Sequence, residues 1–327
     1  MKLVGCMFDD PMEINVVTVC PSFVEIHSTD VVTGIGIIRR FKGSYASEEC
    51  SFTISGKDCK FISSIVYPEV KVDGNAIKIS GSGVKAKIAN LRQKLHDVKL
   101  DDAVEVNVNV STLHKVKKYC ETGIADEKYK GVCVYKDCVF ATNNKTIAHI
   151  KMDTGFDGSI NIPVEVLKYV KGDVSVLTDR RMVYFKENVN DQVEKIVYSN
   201  LIASYPSYAG IDKFVPKVHV TVNKRVLINH LKLISRYTES ATMELVDGQI
   251  HVKASDGDHF FDFAMDTQKT DAVELKIGWN VKSVMKCLES YDADDVEIGI
   301  SKRVMLLKEG SSTYISAQVV LRDSVVE

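Results

Sequence analysis

The 327-residue chain carries a formal net charge of −2 and 45% apolar residues, a composition that suits two or three folded domains with sizeable cores and argues against wholesale coating of nucleic acid. It has no apolar run of about 18 residues, and its opening, MKLVGCMFDDPME, lacks the apolar centre of a secretion signal, so a cytoplasmic protein without membrane contact is expected. The eight cysteines are scattered without a CxxC pair, which suits reduced thiols better than a zinc site, and no metal or other cofactor is expected.

In chain order, the first element is a hairpin, VVTVCPSFVEIHSTD, two strands joined by a tight turn and ending at Asp30. FTISGKDCKFISSIVYPEVKVDGNAIKIS then reads as strand, helix, strand, turn, strand, with Phe61, Ile62 and Ile65 on the apolar helix face. An alternating strand, Val84 to Ile88, and an acidic turn at Lys99–Asp102 follow. VEVNVNVSTLHKVKKYCET is an alternating strand running into a helix, with Ser111 placed to cap it. A second hairpin, GVCVYKDCVFATNN, precedes INIPVEVLKYVKGDVSVLTDRRMVYFK, whose helix is expected to start at Pro163 and to turn Val166, Leu167 and Val170 inward. Beyond the turn-rich stretch 205–216, HVTVNKRVLINHLKLISRYTE repeats the strand-into-helix element with Asn223 as its cap. A third hairpin, MELVDGQIHVKASD, follows with the same strand, tight turn and strand. The last segment, LKIGWNVKSVMKCLESYDADDVEIGISKRVMLLK, starts its helix at Asn280 or Val281 and faces Val281, Val284, Met285 and Leu288 inward.

These elements repeat. Thr29, Thr142 and Ser255 hold the same place in the three hairpins, 113 residues apart each time, and Val19, Val132 and Leu245 keep the same interval. Ile54, Ile162 and Ile277 match in the second segment. The strand-into-helix element occurs only twice. Projected back one period it falls before residue 1, so the first copy is expected to lack its leading strand and helix, or the natural gene to begin upstream. The expected fold is α+β: three repeated domains, 1–102, 103–215 and 216–327, each packing helices on antiparallel sheets.

The helical segments have been cleared of acids. Lys115, Lys117 and Lys118 lie in one, Lys224, Arg225, Lys232 and Arg236 in the next, and Lys282 and Lys286 in the last, while acids collect in turns such as Asp292/Asp294/Asp295. Leu227, Leu231 and Ile234 form a core-facing stripe opposite the basic positions, and Leu113, Val116 and Cys120 repeat it. A charged run is more often a solvated face than a site, but its recurrence in repeated helices points to a polyanion met through phosphates without base readout. The rival reading is an enzyme or metal site at Ser255-Asp256-Gly257-Asp258-His259. Asp256 aligns with Asn143 and Asp30 in the same turn, which turn chemistry explains better, and no GxGxxG, P-loop, GxSxG or HExxH is present.

With its three units, the chain resembles the beta sliding clamp of bacterial replicases. The resemblance rests on Ser204-Tyr205-Pro206-Ser207-Tyr208 with Phe214-Val215-Pro216-Lys217, on Ile277-Gly278-Trp279-Asn280-Val281, and on Ala141-Thr142-Asn143-Asn144-Lys145-Thr146-Ile147-Ala148 in place of that family's ATDGHRLA loop. It implies a non-enzymatic, ring-forming homodimer that encircles double-stranded DNA, faces the nine basic residues above toward it, and tethers a replicative polymerase and a clamp loader through short apolar peptides. Carried over by position, the peptide cleft would comprise Tyr129, Thr142, Lys145, Ile147, Pro206, Lys213, Phe214, Asn280, Ser283, Val304, Val319 and Leu321. The ring contact would use the edge strand with Val84, Ala86 and Ile88 and the helix end at Leu233 and Ile234. The C-terminal Leu321-Arg322-Asp323 departs from the family's apolar–proline–apolar ending. The alternative is a relative of the same fold that binds partners without encircling DNA.

Overall fold

The computed structural model of the protein describes residues 3–9, 11–93, 95, 98–121, 123, 126–209, 211, 214–270, 275–301 and 304–317. They form two compact units, one from residues 1–111 and 162–202 and the other from 112–161 and 203–327.

The chain opens with an extended stretch in which the N–H of Leu3 and of Gly5 donate to the carbonyls of Pro68 and Val66, both at 3.0 Å. A single 3-10 turn, Gly5–Phe8, then buries Met7 and Phe8 where a helix would otherwise lead the repeat. Gly5 is required there, because a Cβ would lie 2.2 Å from the Ile65 carbonyl oxygen. The strands β1 (Ile14–Cys20), β2 (Phe23–Thr29), β3 (Gly36–Lys42) and β4 (Cys50–Ser55) follow. Helix α1 (Gly56–Ser63) is capped reciprocally: the Ser55 hydroxyl accepts the Asp58 N–H and donates to the Asp58 carboxylate. It buries Cys59 and Ile62. Phe61, expected on the inner face, is 36% exposed, because it follows the exposed Lys60 around the helix. Then come β5 (Glu69–Asp73), β6 (Ala76–Gly81) and β7 (Val84–Ala89).

After β8 (Val104–Val106), α2 runs from Val110 to Lys117, so Ser111 lies inside the helix and not at its cap. Leu113, Val116 and Cys120 are buried as the stripe requires. Strands β9 (Gly131–Tyr135), β10 (Cys138–Thr142), β11 (Thr146–Lys151) and β12 (Ser159–Pro163) follow. The helix expected from Pro163 does not form. Pro163 closes β12, and only a 3-10 turn, Val166–Lys168, follows, with Val166 and Leu167 still buried. β-branched Val164 and Val166 disfavour the helix, and Gly172, at φ 76°, turns the chain away within a few residues. The unit ends in β13 (Ser175–Thr178), β14 (Met182–Asn190) and β15 (Val193–Asn200).

In the last third, β16 (Val218–Asn223) leads into α3 (Lys224–Ile234), with the Asn223 side chain accepting the Val226 N–H at 3.1 Å. Leu227, Leu231 and Ile234 are fully buried. Strands β17 (Ser240–Val246) and β18 (Gln249–Ser255) join through Asp247-Gly248, both at positive φ, as a tight hairpin demands. Strands β19 (Phe260–Asp266), β20 (Lys269–Thr270) and β21 (Leu275–Asn280) precede α4 (Val281–Leu288), whose cap is Asn280 accepting the Ser283 N–H. Strands β22 (Asp295–Ile300), β23 (Val304–Glu309) and β24 (Ser312–Ala317) close the described chain. Among the described residues no helix is long and apolar enough to cross a membrane.

The strands make an eight-stranded sheet, β4-β1-β2-β3-β15-β14-β13-β8, and a nine-stranded sheet, β12-β9-β10-β11-β24-β23-β22-β16-β20, with smaller sheets β19-β18-β17-β21 and β5-β6-β7. The two large sheets are one pattern used twice. Thr29 and Thr142 end β2 and β10, and Ser255 ends β18, so the 113-residue interval marks the same hairpin end each time. Ile54, Ile162 and Ile277 lie buried in β4, β12 and β21. Each large sheet is completed by a strand far along the chain: β3 pairs with β15, and β11 with β24.

Candidate nucleic-acid face and peptide cleft

On α3, with its apolar stripe committed to the core, Arg225 and Lys232 are exposed, and Arg236 is exposed in the turn that follows the helix. None of the three has an ion-pair partner among the described residues. The other basic positions are more engaged. Lys115 Nζ lies 2.8 Å from Asp292 Oδ2 and 5.9 Å from the centre of the Tyr314 ring. Burial lowers the Lys115 ammonium, but the hydrogen bond it donates to Asp292, together with the Tyr314 hydroxyl and the Asp292 charge, makes the net shift upward. Lys118 is pushed down by burial, against Glu289. Lys224 donates to the carbonyls of Tyr291 and Asp292, Lys286 sits 5.8 Å over the Tyr119 ring, and Lys282 pairs with Glu239 at 3.3 Å. Lys117 is half-buried. Helices without acids of their own thus receive some from neighbouring turns.

The second feature lies on the β10-β11-β24-β23 part of the nine-stranded sheet. Ile147 of β11 is in register with Ile315 of β24, which is in turn in register with Leu306 of β23. Cys133, Cys138, Phe140, Ile211, Leu306 and Ile315 form a buried apolar floor, against which Ile147 and Val304 are partly exposed. The connecting residues 203–209 cross this surface. Tyr135 Oη donates to the Pro206 carbonyl at 2.7 Å, and Tyr208 packs its ring 4.4 Å from Tyr135 while its hydroxyl donates to Asp137 at 2.9 Å. That bond, with burial adding to it, pushes the Tyr208 phenol up to about 12. Farther along, Phe214 (41% exposed), Val215, Pro216 and Leu306 line a cavity of about 430 Å³ together with the polar His219, Glu297, Lys308 and Thr313. An apolar floor with partly open walls suits apolar anchor side chains.

Of the cleft positions expected from sequence, Ile147 and Val304 fall in this cluster, Pro206 in the crossing segment, and Phe214 on the cavity. Thr142 is buried and donates to the Thr146 carbonyl, so it shapes the turn that presents exposed Lys145. Tyr129 belongs to a 3-10 turn, its carbonyl taken by the Glu121 N–H and its ring under Lys128. Asn280 and Ser283 are tied together at the start of α4. Lys213, Val319 and Leu321 lie outside the described residues. Sequence reasoning missed Tyr135, Phe140, Tyr208, Ile211, Leu306 and Ile315. Ile315 alternates correctly within STYISA, but its pairing with Ile147 emerges only from the sheet order.

For the expected ring contact, β7 is an edge strand, paired among the described residues with β6 alone. Val84, Ala86 and Ile88 pack against the unit's own core, and Lys85 and Lys87 face outward. Leu233 is 42% exposed, whereas Ile234 is fully buried and unavailable to a partner, because the same stripe that holds Leu227 and Leu231 claims it. The rival metal cluster resolves into a turn: Asp256 Oδ1 accepts the N–H groups of Asp258 and His259, and these bonds, with the His259 side chain, hold its carboxyl below the usual range. Asp30, Asn143 and Asp179 close their turns in the same way.

No protein-family model matches the sequence, and no curated protein matches it. Solved structures do. The DNA polymerase sliding clamp from Bacillus subtilis superposes with a TM-score of 0.84 at 12% identity, covering 98% of each chain. The DNA polymerase III subunit beta from Pseudomonas aeruginosa gives 0.81 at 12% identity over 98% of this chain and 100% of that one. The Helicobacter pylori beta clamp, solved bound to a DNA ligase peptide, gives 0.81 at 15% identity with the same coverage. The chain has the sliding-clamp fold over nearly its whole length.

Proposed function

We propose that the chain is a non-enzymatic DNA sliding clamp whose three domains, bounded near residues 102 and 215, close head to tail with a second copy into a homodimeric ring around duplex DNA. The observation that carries this reading is the exposed, acid-free surface of α3 and the turn after it, with Arg225, Lys232 and Arg236 unpaired on a clamp fold. Lysines and arginines meeting phosphates without base readout give salt-screened contacts, sufficient when topology does the holding. The edge strands support a head-to-tail contact by their charge. Lys71, Lys78 and Lys87 are cross-strand neighbours in the β5-β6-β7 sheet, and the other candidate edge, β19, exposes Asp262 and Asp266. Unpaired edges of this kind call for a partner or a blunting device. The Ile147–Ile315 groove would take short apolar peptides of a replicative polymerase and a clamp loader. Action in the cytoplasm suits the free thiols.

The test is topological. Protein assembled on linear duplex whose ends are then blocked should survive a high-salt wash and be lost once the DNA is cut, and native mass spectrometry should give a dimer. Arg225→Glu/Lys232→Glu/Arg236→Glu should abolish retention while leaving the dimer mass unchanged. A monomer at micromolar concentration, or equal loss from blocked and cut DNA, would sink the reading. It would favour a clamp-fold protein that docks partners without encircling DNA, a reading suggested by the single 3-10 turn that stands in for the first helix.

A further inference from the structure

Resting on the phosphate-binding role just proposed, the basic helices lead to one specific acid. Lys115 of α2 and Lys224 of α3 converge on the turn after α4, where Asp292 projects its carboxylate. Lys115 Nζ is 2.8 Å from Asp292 Oδ2. Lys224 Nζ is 2.8 Å from the Tyr291 carbonyl and 3.2 Å from that of Asp292, and Lys118 adds its charge nearby. The turn is anchored. Tyr291 is buried and donates its hydroxyl to the Lys308 carbonyl, while the Glu309 carboxylate accepts the N–H groups of Asp292 and Ala293, each at 3.0 Å. The neighbouring acids are otherwise occupied or differently placed: Asp295 accepts from Gln268 and Asn223, and Glu289 acts on Lys118. On this fixed backbone the Asp292 side chain itself is 82% exposed. An anionic oxygen is therefore held rigidly from behind, open to solvent in front, and engaged with an ammonium group as a phosphate oxygen would be.

We propose that Asp292 is a built-in counter-anion, occupying in the free protein the phosphate position of the Lys115–Lys118–Lys224 cluster, so that duplex phosphates have to displace it. The consequence is a lowered affinity at this cluster, with Arg225, Lys232 and Arg236 left as the open contacts. A weak and replaceable contact suits a protein that must move along DNA. The Asp292 carboxyl is held below its usual range first by the Lys115 hydrogen bond and then by the charges of Lys115, Lys224 and Lys118, as a counter-anion should be.

Asp292→Asn keeps the side-chain size and both backbone bonds to Glu309 and deletes only the charge. Wild type, Asp292→Asn, Lys115→Gln and the double variant would be compared in two arms. On heparin, a polyanion without duplex structure, Asp292→Asn should elute at higher salt. In fluorescence anisotropy with duplex DNA it should bind about three- to tenfold more tightly, with a salt slope steeper by about 0.9 for each phosphate newly engaged. Most of that gain should vanish in Lys115→Gln/Asp292→Asn. Elution and affinity equal to wild type overturn the proposal, and so does a gain that persists undiminished without Lys115. A heparin shift with no duplex binding by any variant upholds the counter-anion and removes the DNA reading.

Discussion

The eight- and nine-stranded sheets share a strand order, β20 being the extra strand of the second, yet the residues at corresponding places differ. Thr29 pairs with Gly36 in the first as Thr142 pairs with Ile147 in the second. Across the next junction Gly36 meets Tyr198, where Ile147 meets Ile315. The Tyr198 ring lies directly over Gly36, so that a Cβ there would come within 2.1 Å of it, and Tyr198 Oη bonds His27 Nε2 at 2.5 Å. Around it Arg40 pairs with Glu25, Lys186 with Glu194, and Tyr184 donates to Asp179. A cavity of about 480 Å³ remains there, lined by the paired Glu25, Arg40, Lys186 and Glu194 as well as by Lys99, Asp101 and several apolar side chains. In the second sheet two isoleucines make the equivalent place apolar, Ile315 buried and Ile147 partly exposed beside it. The same place on one scaffold thus holds a glycine–tyrosine pair in the first sheet and an isoleucine pair in the second.

The largest effect should come from moving that pair. Ile147→Gly/Ile315→Tyr, which copies the first sheet into the second, should weaken a Gln-x-x-Leu-x-Phe-like peptide by tenfold or more in calorimetry, given roughly 1.5–3 kcal/mol for each anchor that loses its burial. Ile147→Ser alone should weaken it in the same direction. Unchanged affinity in both would place docking elsewhere. In the first sheet, Tyr198→Phe removes a hydrogen bond from largely buried His27 and should cost about 1–3 kcal/mol in chemical denaturation. A cost near zero would mean that ring packing alone closes that face.

The smallest effect is acid sensitivity. The Lys186 hydrogen bond holds the Glu194 carboxyl below its usual range, and the N–H groups of Met182 and Arg181 with the Tyr184 hydroxyl do so for Asp179 despite burial. A carboxyl depressed in the folded state stabilises above its unfolded value, about 3.9–4.3 for these two types, and that contribution is lost as pH falls through the folded value. Stability measured against pH should therefore drop below about pH 4, and Glu194→Gln should flatten part of that limb. Ile147→Ser should leave the limb unchanged, since the groove residue it alters does not titrate.

What was legible in the sequence is local. Asn223 and Asn280 cap α3 and α4 because each reaches an N–H three residues ahead, and Leu227, Leu231 and Ile234 face the core because helical spacing puts them on one side. The hairpins ending at Thr29, Thr142 and Ser255 are likewise set by alternation and turn residues. Where local signals competed, reading failed: Pro163 looked like a helix start but closes a strand, and Ile234 could not serve both the core and a partner. Tertiary structure alone decided who meets whom. Lys115 finds Asp292 across 177 positions, and Ile147 finds Ile315 in a strand near the other end of the chain. Such pairings depend on sheet order and helix packing, in which every residue of an element moves together, so neither residue's own neighbours in sequence carry a trace of the partner.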